Sequence, residues 1–420
     1  MGQNAEPAPD IDWKMVFIVC LGSMLEVYDF LIYAMMAPYI SRLFFPSELL
    51  TSSLILTFGT FAVGYLSRPL GGILFGHQGD RRGRKKPFSF TIVIMALATL
   101  LMGCLPGYDD IGYLAPLLLV LLRLVQGLAM GGETGGALTY ISEHMPAHIG
   151  KGSGALIGGM CAGLLLGYLV HNILLFFYGP EGMLERGWRV AFWFGAMLGI
   201  IGYIIRLRFQ ETLMFRRLQA SKQIASVPLL TVLKHYPRQV ICGALAIVSH
   251  SITVMLLTVF LQSWLQINRG GEVIATVSTI TAAMMAVVML PCGYLYDRKG
   301  REYCFRLATV CHLMVGLPWY YLVVTVPNLT WLTMPMFSLL VGFMAAAQIT
   351  VVSSLFPTRV RYTGVALSYN LGFLAGGFTP LVSTWLVEWS GQPWTPGVLL
   401  TLAGVTSWLV RLLFRPAQEC

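Results

Sequence analysis

Runs of twenty or more apolar residues recur from one end of this chain to the other, and no other feature limits its fold so tightly. Each run can cross a hydrocarbon core of roughly 30 Å as an α-helix. Barrel strands alternate in polarity and are about half as long, so helices are the expected elements. Polar breaks divide the runs into twelve spans, near 13–37, 50–75, 88–106, 112–142, 150–178 and 188–208, then 238–264, 272–295, 304–326, 329–355, 362–388 and 395–414. Only 11% of the 420 residues are charged and 56% are hydrophobic, which leaves too little polar surface for a water-soluble exterior. The first span has acidic flanks at Asp10 and Asp12 and no small-residue cleavage pattern, so it is expected to stay as a helix and not to be removed as a signal peptide.

The formal charge of +9 orients the chain and need not bind a polyanion. With the N-terminus in the cytoplasm, Arg42, Arg186, Arg189 and Arg269 fall outside and Arg123 within the bilayer; every other Lys and Arg falls at the cytoplasmic side. Both chain ends are therefore expected in the cytoplasm, with a bilayer and no nucleic acid as surroundings. The eight cysteines lie singly, with no metal-ligand spacing, and are read as small packing residues.

A string repeats. After the second span the chain reads Gly76-His-Gln-Gly-Asp80-Arg81-Arg82-Gly83-Arg84, and after the eighth Gly293-Tyr-Leu-Tyr-Asp297-Arg298-Lys299-Gly300-Arg301. Both follow G-x-x-x-D-R-[KR]-G-R, at the same place in each set of six spans. The expected fold class is therefore all-α: a polytopic membrane protein whose twelve transmembrane helices form two six-helix bundles, 1–208 and 238–420, joined by a basic cytoplasmic linker at 209–237. Glycine permits a sharp turn and close helix contact. An aspartate at a cytoplasmic helix end can accept bonds from the arginines that follow or from a neighbouring helix N-terminus. Such a contact could form and break as the halves rock, which assigns gating to Gly76, Asp80, Arg81, Gly83, Arg84, Asp297, Arg298 and Arg301. The alternative is that the basic residues only fix topology.

These paired strings resemble the signature of the major facilitator superfamily. Arg68-Pro69-Leu70-Gly71, Glu26-Val27-Tyr28-Asp29-Phe30, Arg123-Leu124-Val125-Gln126-Gly127, Gly187-Trp188-Arg189 and Phe356-Pro357-Thr358-Arg359-Val360-Arg361-Tyr362 are similar to its metabolite:proton symporter branch. The resemblance covers the whole chain. It implies secondary transport of small organic acids or zwitterions, commonly coupled to protons, and adds Arg359 and Arg361 to the gate.

Ionisable residues inside a bilayer normally face a cavity or a partner. Glu26 and Asp29 share one face of the first span. In the fourth, Arg123, Gln126, Met130 and Glu133 form one stripe at about 100° per residue, expected to face a central cavity. Arg keeps its charge and binds carboxylate in a fork, so Arg123 is the expected substrate anchor, with Tyr28 and Gln126 beside it; the alternative is a fixed pair with a first-span carboxylate. Asp29, Glu26 and Glu133 are the expected proton carriers, Glu133 equally a candidate for an interhelix hydrogen bond. His250, Gln262, Gln348 and Tyr369-Asn370 supply polar groups in the second half, and of these Gln348 and Asn370 are the expected substrate contacts. The glycines of the fifth span, from Gly152 to Gly167, read as close helix packing. No nucleotide, metal or catalytic motif occurs, so no cofactor is expected and the chain is read as a transporter, expected to be monomeric. A facilitator, a drug:proton antiporter and a membrane sensor are the alternatives. The chain ends soon after Arg415 without a heptad extension, which favours an organic acid over a betaine-type solute.

Overall fold

The computed structural model describes residues 13–46, 50–207, 211–221, 226–269 and 271–413. The chain ends, with Asp10, Asp12 and Cys420, and linker residues 208–210 and 222–225 lie outside this set.

Twelve long helical segments occupy the expected spans. In the first half these are α1 (Trp13–Met35), α2 (Leu50–Arg82), α3 (Lys85–Cys104), α4 (Leu114–His144), α5 (Ile149–Gly182) and α6 (Trp188–Arg206). In the second they are α7 (Pro237–Met255), α8 (Gly271–Lys299), α9 (Arg301–Cys311), α10 (Thr330–Ser354), α11 (Arg361–Ser390) and α12 (Val398–Leu413). A wide π turn at Leu256–Phe260 carries α7 on to Leu261–Arg269, and another at His312–Gly316 carries α9 on to Leu317–Thr325. Two short helices, Leu213–Ala220 and Pro228–His235, lie between the halves.

One expectation changes. The repeated string does not form a loop after the second and eighth spans, because α2 and α8 run on through their aspartates to Arg82 and Lys299. The turn falls at the next residue. Gly83 and Gly300, equivalent in the two copies, have φ of 103° and 82°, a left-handed conformation that a side chain would strain. The aspartates are thus held rigidly on the last helical turns.

The two halves meet along α2 with α11 and along α5 with α8, as a two-fold repeat requires. On α5 the glycines serve two neighbours: a Cβ on Gly154 would lie 2.6 Å from the Met289 carbonyl of α8, and one on Gly159 2.9 Å from the Cys20 carbonyl of α1. Small residues let helices approach where lipid supplies no hydrophobic drive. The apolar side chains left exposed, such as Phe90, Leu97, Ile200, Val287 and Trp389, then face the hydrocarbon. All seven described cysteines are free.

Candidate functional site

Arg68 stands fourteen residues short of the end of α2, about 21 Å along its axis, and is 1% exposed. Its Nε donates to Oδ1 of Asn370 on α11, 3.0 Å away across the boundary between halves. Asn370 is itself fixed, since its Nδ2 donates to the carbonyls of Gly131 and Ala366, each at 2.7 Å. The guanidinium lies 4.9 Å from the ring centre of Tyr65 and 5.0 Å from that of Phe373, with Phe30 and Tyr369 at 5.8 and 5.9 Å. Its Nη1 has no hydrogen-bond partner and no carboxylate pairs with it, among the described residues. Arg68 is a buried cation held by an amide and aromatic faces, with one nitrogen open.

The space around it is a cavity of about 80 Å³ between the halves. Tyr65, Arg68 and Thr134 line it from one side, and His250, Tyr369 and Phe373 from the other. The His250 Nδ1 has no hydrogen-bond partner among the described residues, and its ring meets Phe373 edge-on at 6.0 Å. Ligand pockets usually exceed about 300 Å³, so this cavity is contracted. Towards the end of the helices opposite the repeated string, the Tyr168 hydroxyl of α5 donates to the Thr258 carbonyl at 2.8 Å. Beside it, Asn172 donates to Thr279 Oγ1 of α8 at 3.0 Å.

At the end of the helices that carries the repeated string, two equivalent contacts join the halves. Asp80 accepts from the backbone amides of Tyr362 (3.2 Å) and Thr363 (2.8 Å) and from the Thr363 hydroxyl (2.7 Å), at the first turn of α11. Asp297 accepts from the amides of Gly150 (2.7 Å) and Lys151 (3.0 Å), at the first turn of α5. Each aspartate therefore caps a helix of the opposite half, where unpaired amides and the helix dipole favour a negative charge. Arg84 adds bonds to Glu143 (2.7 Å) and to the Thr358 carbonyl (3.0 Å), and Arg361 comes within 3.8 Å of Glu143. Arg359 donates to the Tyr236 hydroxyl at 3.3 Å. Gly76 lies against Thr363 of α11, where a Cβ would sit 2.9 Å from its Cα. Arg81 and Arg298 are exposed, and Arg301 opens α9.

The structure divides the remaining expected residues between the cavity and the interior of the first half. Of the α4 stripe only Met130 lines the cavity. Arg123 instead sits under the rings of Phe30 (4.3 Å), Tyr33 (4.5 Å) and Phe61 (5.1 Å) and donates to Gln126 at 2.7 Å. Gln126 in turn donates to Thr99 at 2.7 Å, and Tyr28 donates to the Ala191 carbonyl at 2.9 Å. Glu133 is paired with Arg206 of α6 and accepts from Thr91 at 2.6 Å. Gln348 donates to Ser249 at 2.6 Å within the second half.

Glu26 and Asp29 differ from all of these. Both are at most 2% exposed, and none of their four carboxylate oxygens has a hydrogen-bond partner among the described residues. Asp29 lies against Gly195 and Gly199 of α6, while Glu26 has Glu133, Arg206, Arg68 and Asp29 as its charged neighbours. The first half thus buries two closed ion pairs, Arg206–Glu133 and Arg84–Glu143, together with two arginines held by neutral groups and, among the described residues, two carboxylates without hydrogen-bond partners.

Sequence reasoning missed Arg68 by assigning it, with its motif, to the cytoplasmic side. The signal was available, because 68 lies well inside the 50–75 run. His312 was also missed; it bonds Thr253 at 3.1 Å and the Ala308 carbonyl at 3.0 Å.

A family model described as Major Facilitator Superfamily matches residues 19–380. A Staphylococcus haemolyticus protein carrying the provisional name proline/betaine transporter is 34% identical, over 94% of this chain and 86% of its own length. The proline/betaine transporter of Salmonella typhimurium is 31% identical, over 93% and 81%. The solved proton:xylose symporter XylE, bound to 6-bromo-6-deoxy-D-glucose, superimposes with a TM-score of 0.76 at 17% identity, covering 95% of this chain and 94% of XylE.

Proposed function

The chain belongs to the Major Facilitator Superfamily, and from that premise we propose that it carries a small carboxylate-bearing zwitterion together with protons, by alternating access around the Arg68 cavity. The observation that carries this reading is the open Nη1 of Arg68, a fixed cation between the halves with no carboxylate within ion-pair distance among the described residues. A substrate carboxylate supplies that charge, and a guanidinium receives it through a fork of N–H donors. The aromatic faces of Tyr65, Tyr369 and Phe373 suit the cationic end of the same molecule, since a quaternary or secondary ammonium is drawn to a π face. The relatives' names point to zwitterions of this kind, proline and betaine, and so away from an organic acid.

Coupling falls to Glu26 and Asp29. An ionised carboxylate buried without a partner is costly, and a proton removes that cost. Protonation from outside and release inside would tie their charge to the position of the halves. Arg123 holds the backbone of α1 at Phe30 and so positions these acids (Arg123 Nη1 to the Phe30 carbonyl, 3.3 Å). The Asp80 and Asp297 caps form the cytoplasmic gate, with Gly76, Gly83, Arg84 and Arg361 shaping it. The contracted cavity corresponds to an occluded state, and substrate entry requires the halves to part. We place the protein in the inner membrane, with both chain ends in the cytoplasm.

Purified protein in proteoliposomes tests the reading through counterflow of labelled proline, glycine betaine and citrate. Exchange of either zwitterion that is lost in Arg68→Ala supports it. Exchange of citrate alone, or equal exchange by the variant, contradicts it.

A further inference from the structure

A second cavity, of about 580 Å³, lies between α3 and α6 on the bilayer-facing surface, away from the site above. We propose that it is a binding groove for an anionic phospholipid of the cytoplasmic leaflet, with Lys85 and Lys86 holding the phosphate and one acyl chain lying along the two helices.

Three observations meet here. The walls are apolar and open to the membrane: Phe90 is 58% exposed, Leu97 56% and Ile200 57%. The floor is shallow-sided because Ala96, Ala196 and Gly199 present almost no side chain. The groove runs from Lys85 to Leu100, about 22 Å at 1.5 Å per residue, which exceeds the roughly 15 Å depth of one leaflet's hydrocarbon. A lipid acyl chain is the occupant that such a slot meets in a bilayer.

Charge selects the headgroup. Lys85 and Lys86 stand together at the cytoplasmic mouth, and neither has a carboxylate within ion-pair distance among the described residues. The nearest acid, Glu211, spends its oxygens on the backbone amides of Arg84, Lys85 and Thr212. Within the basic run, then, Arg84 is buried and serves the gate, whereas the two lysines are left facing the interface. Basic residues there attract anionic lipid, and two of them favour it over a zwitterionic lipid by roughly tenfold or more. The groove's floor is also the wall behind which Asp29 lies, since a Cβ on Gly199 would be 3.5 Å from its Oδ2. None of this depends on which solute the central cavity carries.

The test uses the full chain in vesicles containing phosphatidylglycerol or phosphatidylcholine with a photoactivatable acyl chain. Cross-linked peptides are mapped by mass spectrometry. Phosphatidylglycerol should label 85–104 and 188–206 about tenfold more than phosphatidylcholine does. That preference should collapse in Lys85→Gln/Lys86→Gln, and labelling by both lipids should drop several-fold in Val93→Trp, where an indole on the lipid-facing wall fills the slot. Equal labelling by the two lipids, or a preference untouched by the lysine changes, overturns the proposal. Because Val93 faces lipid, its variant should fold even if the lysine variant does not, and unchanged labelling there overturns the acyl-chain placement.

Discussion

Of the four buried arginines of the first half, Arg68, Arg123 and Arg206 look alike in the sequence and do different things. Arg206 closes an ion pair with Glu133, Arg123 rests in an aromatic box beside Gln126, and Arg68 faces the cavity with a nitrogen open. Their substitutions should separate them. Arg206→Ala leaves Glu133 charged and alone, which costs about 3–5 kcal/mol and should lower the Tm of the purified protein sharply. Arg68→Ala removes a cation that closes no ion pair among the described residues, so its Tm should hold or rise while substrate Kd weakens roughly a hundredfold, about 3 kcal/mol. Arg68→Lys keeps the charge and loses the fork, and should fall between. Thermal unfolding and equilibrium binding on the same preparations decide this, and a collapse of Tm in Arg68→Ala would make that residue structural. For the acids, Asp29→Asn and Glu26→Gln mimic the protonated form. At least one should keep exchange yet lose accumulation against a gradient and the pH dependence of uptake; concentrative uptake in both variants would remove the acids from coupling. At this scale the sequence was only partly legible. Spacing placed Arg123, Gln126 and Glu133 on one stripe, but beyond Gln126 the helix is buried on nearly all sides and has no single inward face, so periodicity could not say which neighbour the stripe meets.

Helix limits were far easier to read, because lipid forces each backbone to satisfy itself and hydropathy then marks the ends. The exception is instructive. The repeated string looked like a loop for its charges, yet α2 and α8 continue through it, since caps on α11 and α5 from the opposite half reward a rigid aspartate. Asp80→Asn and Asp297→Asn keep the shape and lose the charge at a helix N-terminus, weakening each cap by about 1 kcal/mol. Each should slow net transport several-fold and leave equilibrium binding nearly unchanged, and the double variant should be slower than either. Stopped-flow transport beside binding measurements checks it; a matching loss of binding would tie the aspartates to the ligand and not to the gate. Gly83→Ala and Gly300→Ala should each be destabilising by about 1 kcal/mol, because a Cβ is strained in the left-handed conformation both turns require.

For the molecule as a whole, duplication was legible from six matched positions in a nine-residue string, and the two-fold relation of α2–α11 to α5–α8 follows from it. What could not be read was the meeting of the halves, because Arg68 and Asn370 are 302 positions apart and only the fold brings them together. Orientation rests on charge bias. In a cysteine-free background, an impermeant maleimide should label Asn328→Cys in intact cells and Arg298→Cys only after permeabilisation, and the reverse pattern would invert the topology. The central claim is proton-driven movement of a zwitterion through the Arg68 cavity. Proteoliposomes holding the wild-type chain, given an inwardly directed proton gradient and labelled glycine betaine or proline, measure it directly. Accumulation above the outside concentration is expected, abolished by a protonophore and by Arg68→Ala. Uptake that merely equilibrates, or that accumulates with the gradient collapsed, would contradict it.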